Sequence, residues 1–251
     1  MKEEELLRKR LIELANKAFT QNIYTYTHFL NEYEQSIYQE MQKELSFADS
    51  HLEGGHEYFT RAVAVFGSEE MFGYQGEIPL ACARISPVFD KYAEKLSHRD
   101  YLGAMMDLGI ERHQLGDILL DEKDAYVFCF AHIGKLLEEQ LLKVKHTQVS
   151  VQLVIWEESG WEQKFKEKEG FVASMRLDVL ISMAFGLSRK TSSQLIQKQR
   201  VFVNGKLLMG GDDKRRANDV ISVRGYGKFK IGELGKKSKK GRQLVKLHIF
   251  Q

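Results

Sequence analysis

The sequence predicts an α+β protein of several domains, and three observations support this fold class. Apolar residues recur at helical spacing over the first fifty residues, and from Tyr58 the pattern changes to short strands with two interspersed helices. The third observation is an abrupt change in charge near residue 174. We expect a helical N-terminal region (1–56), an α+β middle domain (57–156), a linker (157–173) and a C-terminal module (174–251).

The N-terminal region is predicted to be helical because its apolar residues repeat every three or four positions. The first stripe consists of Leu6, Leu7, Leu11, Leu14, Ala15 and Ala18, and a second contains Ile37, Met41 and Leu45. No catalytic pattern accompanies these stripes.

The middle domain is predicted from strand-like apolar runs. These runs favour strands over 62–66, 78–85, 117–120, 125–130 and 149–156, with a helix that begins near Ser97 and another over 133–144. Such alternation is typical of the sandwich of RNA-recognition domains. Tyr126, Phe128 and Phe130 then allow two interpretations, core packing or an RNA-stacking platform, and packing is the commoner use of strand aromatics.

Several classes of site are not expected. Cys82 and Cys129 lie among apolar neighbours without nearby metal-ligand spacing, so we expect reduced core thiols. No metal, cofactor or catalytic residue is predicted. The first ten residues alternate in charge where a signal peptide needs an apolar run, and no stretch has the length of a membrane span. A cytoplasmic protein without membrane contact is the expectation.

The near-neutral total charge hides a strong asymmetry. Residues 174–251 hold 18 Lys and Arg against five Asp and Glu, whereas residues 1–173 hold 19 against 30. A net charge of +13 on a small module favours binding to a polyphosphate chain, because each bound cation displaces a counterion. The acidic remainder predicts a separate role, such as binding a protein partner.

The C-terminal module has a regular pattern of two helices and several strands. An apolar stripe predicts a helix that ends at Gly186, and a second helix begins at Ser188. In this second helix Ser192, Leu195 and Ile196 are expected to face the core, and Lys190 and Gln194 to face outward. Residues 201–208 predict a hairpin with an Asn204-Gly205 turn.

Residues 219–231 alternate between apolar and polar side chains. This alternation predicts one strand whose apolar face contains Ile221, Val223, Phe229 and Ile231. The opposite face would then present Ser222, Arg224, Tyr226, Lys228 and Lys230, which suits phosphate contact and base stacking. The glycines at 225 and 227 leave open a bulge or turn instead of a continuous strand.

These elements resemble the S-four-type RNA-binding domain, or αL motif. The resemblance rests on Met175-Arg176-Leu177-Asp178, Ser188-Arg189, Leu195-Ile196, Val201 to Gly205 and Asp219 to Val223. Gln199 stands where this family usually has a glycine. The residues expected to contact RNA are Arg176, Ser188, Arg189, Lys190, Ser193, Gln194, Lys198, Arg200, Asn204, Lys206, Arg224, Tyr226, Lys228 and Lys230.

The chain as a whole resembles the YlmH family of bacterial proteins, which are named with cell-division genes. The stretches that carry this resemblance are His28 to Leu30, His98 to Asp117 and Ser222 to Phe229. It implies a non-catalytic protein that binds rRNA, and tRNA as well, on the large ribosomal subunit during rescue of stalled ribosomes. Two other functions stay open. Arg176-Leu177-Asp178 also occurs around the catalytic aspartate of pseudouridine synthases, and a scaffold for division proteins is the third class.

Overall fold

The computed structural model describes residues 2–208 and 215–251. The chain forms two compact units, Met1–Trp161 and Glu162–Gln251, each with its own apolar core. Within the described residues, no helix is both long enough and apolar enough to cross a membrane. The mixed helix and sheet architecture confirms the predicted fold class.

The first unit begins with a small antiparallel sheet and three helices, the last of them short. Its elements are α1 (Lys2–Gln21), β1 (Thr25–Tyr26), α2 (Glu32–Glu40), β2 (Ser50–Glu53), β3 (Val63–Phe66) and the short α3 (Glu69–Phe72). The strand order is β1-β3-β2. The predicted stripe on α1 is buried from Leu7 to Ala18, whereas Leu6 is exposed. The structure therefore places β3 in this N-terminal sheet and not in a separate middle domain that begins at residue 57.

The rest of the first unit has RNA-recognition topology. Its elements are β4 (Leu80–Pro87), α4 (His98–Asp107), β5 (Leu115–Asp121), β6 (Asp124–Phe130), α5 (Ala131–Gln140), β7 (Lys143–Val144) and β8 (Thr147–Val154). The sheet order β5-β6-β4-β8-β7 is antiparallel throughout, and α4 and α5 cover one face. This is the β-α-β-β-α-β arrangement that the strand pattern predicted. The predicted helix over 133–144 ends earlier, because Lys143 and Val144 pair with β8.

The aromatic residues of β6 pack against other side chains. Tyr126 and Phe128 are 3% and 2% exposed, on the sheet face opposite the helices. Trp156 contacts both rings, and His56 stacks on Phe128 with the ring centroids 4.8 Å apart. The packing interpretation is therefore confirmed for these two rings. The thiols of Cys82 and Cys129 are likewise buried, and burial raises the pKa of each to about 12.

The second unit consists of one six-stranded sheet and two helices. Its elements are β9 (Phe165–Val172), α6 (Leu177–Phe185), α7 (Arg189–Gln197), β10 (Val201–Val203), β11 (Lys206–Leu207), β12 (Val220–Val223), β13 (Gly227–Lys237) and β14 (Gln243–Phe250). The strand order is β11-β10-β12-β13-β14-β9. Apolar side chains of α6 and α7 pack on one face of this sheet and form a single core with Phe229 and Leu247.

Strand β9 lies within the segment 157–173, in which the sequence analysis placed a linker. All eight of its residues pair with β14, from Phe165 opposite Phe250 to Val172 opposite Gln243. The pairing joins opposite charges, and the Glu167 carboxylate lies 2.8 Å from Nζ of Lys246. A strand whose partners lie eighty residues away, and whose side chains are mostly charged, has no local apolar alternation.

Residues 219–231 form a hairpin and not one strand. Strands β12 and β13 pair with each other, and residues 224–226 form the turn between them. Gly225 and Gly227 have φ angles of +87° and +122°, which glycine adopts without steric cost. The predicted burial of Ile221, Val223, Phe229 and Ile231 is confirmed. The single polar face is wrong, because Arg224 and Tyr226 belong to the turn.

Gln199 ends α7 in a strained conformation. Its φ is +54°, in the left-handed region that favours glycine, at the position where the sequence analysis noted an unusual residue. The backbone N–H of Gln199 donates to the Ile196 carbonyl at 3.0 Å, as expected at a helix end. The left-handed conformation that usually ends this helix with a glycine is therefore present here, although Gln199 has a β-carbon.

We expect Gln199→Gly to stabilise the protein by about 1 kcal/mol, because glycine removes the steric cost of the left-handed region. Urea unfolding of the full chain measures this change. The matched control is Lys198→Gly, at φ −81°, where glycine loses helix propensity and should destabilise by a similar amount. An unchanged or lower stability for Gln199→Gly would show that the side chain makes contacts worth more than the strain.

Candidate nucleic-acid interface

A buried carboxylate anchors the candidate interface. Asp178, 5% exposed in the first turn of α6, accepts hydrogen bonds on both oxygens. Nε of Arg176 donates to Oδ1 at 3.0 Å, and Nη2 of Arg189 donates to Oδ2 at 2.8 Å. Burial acts to raise the pKa of Asp178, but the bonds from Arg189 and Arg176 outweigh it and hold the pKa below its usual value. The carboxylate therefore joins the starts of α6 and α7.

Arg176 and Arg189 have a structural role in addition to the RNA contact that was predicted for them. Both guanidinium groups remain more than half exposed, yet each is oriented by Asp178. The two arginines were predicted only as RNA contacts, and the structure adds a structural function. Arg189 uses its Nε and Nη2 donors on Asp178, and its exposed guanidinium stays compatible with a phosphate contact.

The exposed face of α7 has the predicted orientation. Lys190, Gln194 and Lys198 are exposed, Ser193 is half-buried, and Ser192 and Leu195 are buried. Ser188 caps the helix by accepting from the Thr191 backbone N–H at 3.0 Å. The buried Ser192 hydroxyl donates to the Ser188 carbonyl at 3.1 Å, so this hydroxyl has a hydrogen-bond partner. A small apolar residue at the same position would need none.

The hairpin turn at residues 224–226 lies beside this helix pair. The backbone N–H of Arg224 donates to the Arg200 carbonyl, and Nη2 of Arg200 donates to the Arg224 carbonyl, both at 2.8 Å. The Tyr226 ring is 43% exposed, with its centroid 6.1 Å from that of Phe185 at the end of α6. Arg200, Arg224 and Tyr226 therefore form one cluster that contacts the end of α6 and the residues after α7.

Lys228 and Lys230 lie on the other face of the sheet. Their neighbours Phe229 and Ile231 point into the core beneath the helices, so strand alternation directs the two lysines away from the helices. Nζ of Lys228 lies 5.5 Å from the centre of the Phe250 ring. The predicted continuous surface is therefore divided in two. The helix-side cluster consists of the exposed face of α7 together with Arg200, Arg224 and Tyr226, and the outer sheet face carries Lys228 and Lys230.

Asn204 lies in the β10–β11 turn, and Lys206 is the first residue of β11. Asn204 has a φ of +50°, and its side chain accepts from the Val220 backbone N–H and donates to Asp219. These bonds give Asn204 a structural role in the turn, while Lys206 is exposed.

The sequence analysis did not include a basic cluster at the tip of the β13–β14 hairpin. Its exposed members are Lys236, Lys237, Lys239, Lys240 and Arg242. The sequence signal for this cluster was the density of lysines between two strands. A solvated loop shows the same density, so the signal did not distinguish the two. Across the described residues, no group of three or more His, Cys, Asp or Glu has the arrangement of a metal site.

Two models of RNA-binding domains match the chain. The model described as a putative RNA-binding domain in YlmH matches residues 86–158, and the S4 domain model matches residues 175–208. The chain therefore has a YlmH RNA-binding domain followed by a C-terminal S4 domain. This combination confirms the predicted resemblance to the YlmH family.

Two similar proteins agree with these matches. The ribosome-associated protein quality control protein P2 of Bacillus subtilis (strain 168) is 26% identical over 225 residues, which cover 87% of this chain and 84% of the relative. The solved structure of the cell division protein ylmH from Streptococcus pneumoniae aligns with a TM-score of 0.51 at 21% identity. The alignment covers 62% of this chain and 94% of the Streptococcus pneumoniae chain. At this identity the likeness concerns the fold alone.

We expect Arg189→Ala to lower stability and Lys190→Ala to leave it nearly unchanged. Loss of the charged bonds to buried Asp178 should cost about 1–3 kcal/mol, reduced by the exposure of the guanidinium. Lys190 has no carboxylate partner among the described residues, so its removal should stay within about 0.5 kcal/mol. Urea unfolding measures both. Equal losses for the two variants would contradict the structural function of Arg189.

The Asp178 ion pairs also predict an acid-dependent loss of stability. Because the folded pKa lies below the unfolded value, the stabilisation is complete above the unfolded pKa of about 3.9 and disappears as pH falls through the folded pKa. The stability difference between the wild type and Asp178→Asn should be largest near pH 7 and should shrink below pH of about 4. Thermal melts across this range measure it, and a constant difference would contradict the assignment.

Proposed function

We propose that this protein is a non-catalytic RNA-binding protein that acts at the ribosome in translation quality control. It binds rRNA, and tRNA as well, on the large subunit through the helix-side cluster of its C-terminal unit. The observation that carries the proposal is the exposed cationic surface formed by the α7 face and the 224–226 turn. The ion pair between Asp178 and Arg189 holds the start of α7 in position, and the bonds between Arg200 and Arg224 hold the turn.

The ribosome and the quality-control role come from similarity. The Bacillus subtilis relative is named as a ribosome-associated quality control protein, and its alignment spans most of both chains. The basic C-terminal module supplies the chemistry that such a role needs, because lysine and arginine gain affinity for RNA through counterion release. The acidic first part of the chain is proposed to meet a protein partner.

The pseudouridine synthase alternative is disfavoured by the surroundings of Asp178. A catalytic carboxylate must reach the reacting atoms of its substrate, whereas both oxygens of Asp178 are bound to arginine in a buried site. Nucleoside analysis of RNA incubated with the pure protein tests this alternative. Formation of pseudouridine that is lost in Asp178→Asn would replace the present proposal with catalysis.

Sedimentation of the tagged full chain through a sucrose gradient tests the ribosomal role. The protein should migrate with the large subunit and should return to the top of the gradient after RNase treatment. Co-migration that survives RNase and is unaffected by Lys190→Gln with Arg224→Gln would favour the protein-scaffold function instead.

The salt dependence of RNA binding distinguishes the two cationic surfaces. Removing two phosphate contacts with Lys190→Gln and Arg224→Gln should flatten the slope of log affinity against log salt by roughly 1.4 to 1.8. The matched control is Lys228→Gln with Lys230→Gln, which removes the same charge from the outer sheet face. Binding to purified ribosomal RNA measures both slopes. A flatter slope in the control pair, with none in the first pair, would place RNA on the sheet face.

A further inference from the structure

Two arginines of the first unit converge on one backbone oxygen. Nε of Arg61 donates to the Leu115 carbonyl at 3.0 Å, and Nη1 of Arg112 donates to the same oxygen at 2.7 Å. Arg61 also donates to the Phe29 carbonyl at 2.8 Å, and Arg112 donates to the Gly116 carbonyl at 3.0 Å. Carbonyl bonds therefore hold two positive charges a few ångströms apart.

This arrangement lacks the usual carboxylate partner. No Asp or Glu among the described residues forms an ion pair with Arg61 or Arg112, although both side chains are half-buried. Burial and repulsion from Arg61 lower the pKa of Arg112 to about 10. Two adjacent guanidinium groups without a carboxylate partner leave a local excess of positive charge, which favours the binding of an anion.

The same arginines line a cavity of about 600 Å³. Nη1 of Arg61 and both Nε and Nη2 of Arg112 have no hydrogen-bond acceptor among the described residues, so these donors are available to a ligand. His28 and His113 lie at the cavity with their ring centroids 5.3 Å apart. A volume of this order accommodates a ligand the size of a nucleotide.

Two carboxylates also line the cavity, Glu34 and Glu111, and each is paired with a histidine of the same cavity. Glu34 lies 3.7 Å from His28 and accepts from the Asn31 backbone N–H at 2.7 Å, and Glu111 lies 3.1 Å from His113. Asp117, which is buried, accepts from His56 and from the backbone N–H and hydroxyl of Thr60. Glu34 and Asp117 attract Arg61 at longer range, but neither supplies it with a hydrogen-bond acceptor.

We propose that this cavity binds a phosphate group between the free N–H donors of Arg61 and Arg112. Guanidinium groups match the geometry of phosphate oxygens, and two of them on a fixed backbone form a preorganised cradle. The phosphate comes either from a small free molecule or from an RNA chain. The site lies wholly within the first unit and does not depend on the RNA surface proposed for the C-terminal unit.

Chemical modification of the wild-type full chain tests the site without any substitution. Phenylglyoxal reacts with accessible arginines, and peptide mass spectrometry follows each one. Inorganic phosphate, at constant ionic strength against chloride, should slow the modification of Arg61 and Arg112 and leave exposed Arg84 unchanged. Parallel arms use adenosine 5′-monophosphate and a short single-stranded RNA. Protection by the RNA alone would assign the phosphate to a nucleic-acid backbone, and protection by inorganic phosphate would assign it to a small molecule.

Affinity measurements on variants provide the second readout. Arg112→Gln should weaken binding of the protecting ligand by about 10-fold to 100-fold, because charged hydrogen bonds are lost. Arg84→Gln removes an arginine that pairs with Asp124 outside the cavity and should bind as the wild type does. Circular dichroism verifies that both variants are folded, and Arg112→Lys replaces Arg112→Gln if the latter unfolds.

The proposal is overturned if none of the three ligands protects Arg61 and Arg112, or if a folded Arg112 variant binds the protecting ligand as tightly as the wild type. Its failure is distinguishable from failure of the proposed function. Lys190→Gln with Arg224→Gln reports on ribosomal RNA binding, whereas protection of Arg112 reports only on the cavity.

Discussion

The candidate interface depends on one buried carboxylate and its two arginines. Asp178 lies in the core of the C-terminal unit, where a negative charge is unfavourable without compensation. Arg176 and Arg189 supply that compensation from the starts of two successive helices, so the ion pairs fix how α6 and α7 meet. The outward face of α7 therefore has a defined position, which surface side chains on an isolated helix would not have.

A second constraint attaches the hairpin turn to the same helices. The reciprocal bonds between Arg200 and Arg224 connect the residues after α7 to the turn between β12 and β13. Segments that are separated in sequence thereby form one cationic surface on a rigid support. Rigid support matters for RNA recognition because contacts to phosphate fix register and orientation only when their own positions are fixed.

Much of the C-terminal fold could be predicted because its signals are local. The apolar stripes of both helices and the Ser188 cap lie within short windows. The burial of the stripes and the capping hydrogen bond of Ser188 are both confirmed. At residues 219–231 the prediction of which residues are buried was correct, whereas the prediction of one continuous strand was wrong, because the chain reverses at residues 224–226. Val223 and Phe229 are six positions apart, an even number, so alternation assigns both to the core whether the chain continues or reverses.

Other features had no local signal. Strand β9 is defined by pairing with β14, and its alternating charges resemble a solvated linker until the opposite charges of β14 are placed beside them. Arg61 and Arg112 are also distant in sequence, and only the folded first unit brings their guanidinium groups to the Leu115 carbonyl. The two arginines match no sequence motif. Their partners are backbone carbonyls, which every residue type provides, so no particular side chain marks the site in the sequence.

The two units therefore hold their arginines in physically different ways. In the C-terminal unit the guanidinium groups are exposed and oriented by a buried acid, so their attraction for RNA acts through solvent and is screened by salt. In the first unit the guanidinium groups are half-buried and are held by carbonyl oxygens, where screening is weaker and partial desolvation strengthens each bond to an anion. The first arrangement suits a long, mobile polyanion that is captured from a distance. The second suits a single phosphate that must fit a cavity, so the two arrangements of arginine in this near-neutral chain favour anions of different kinds.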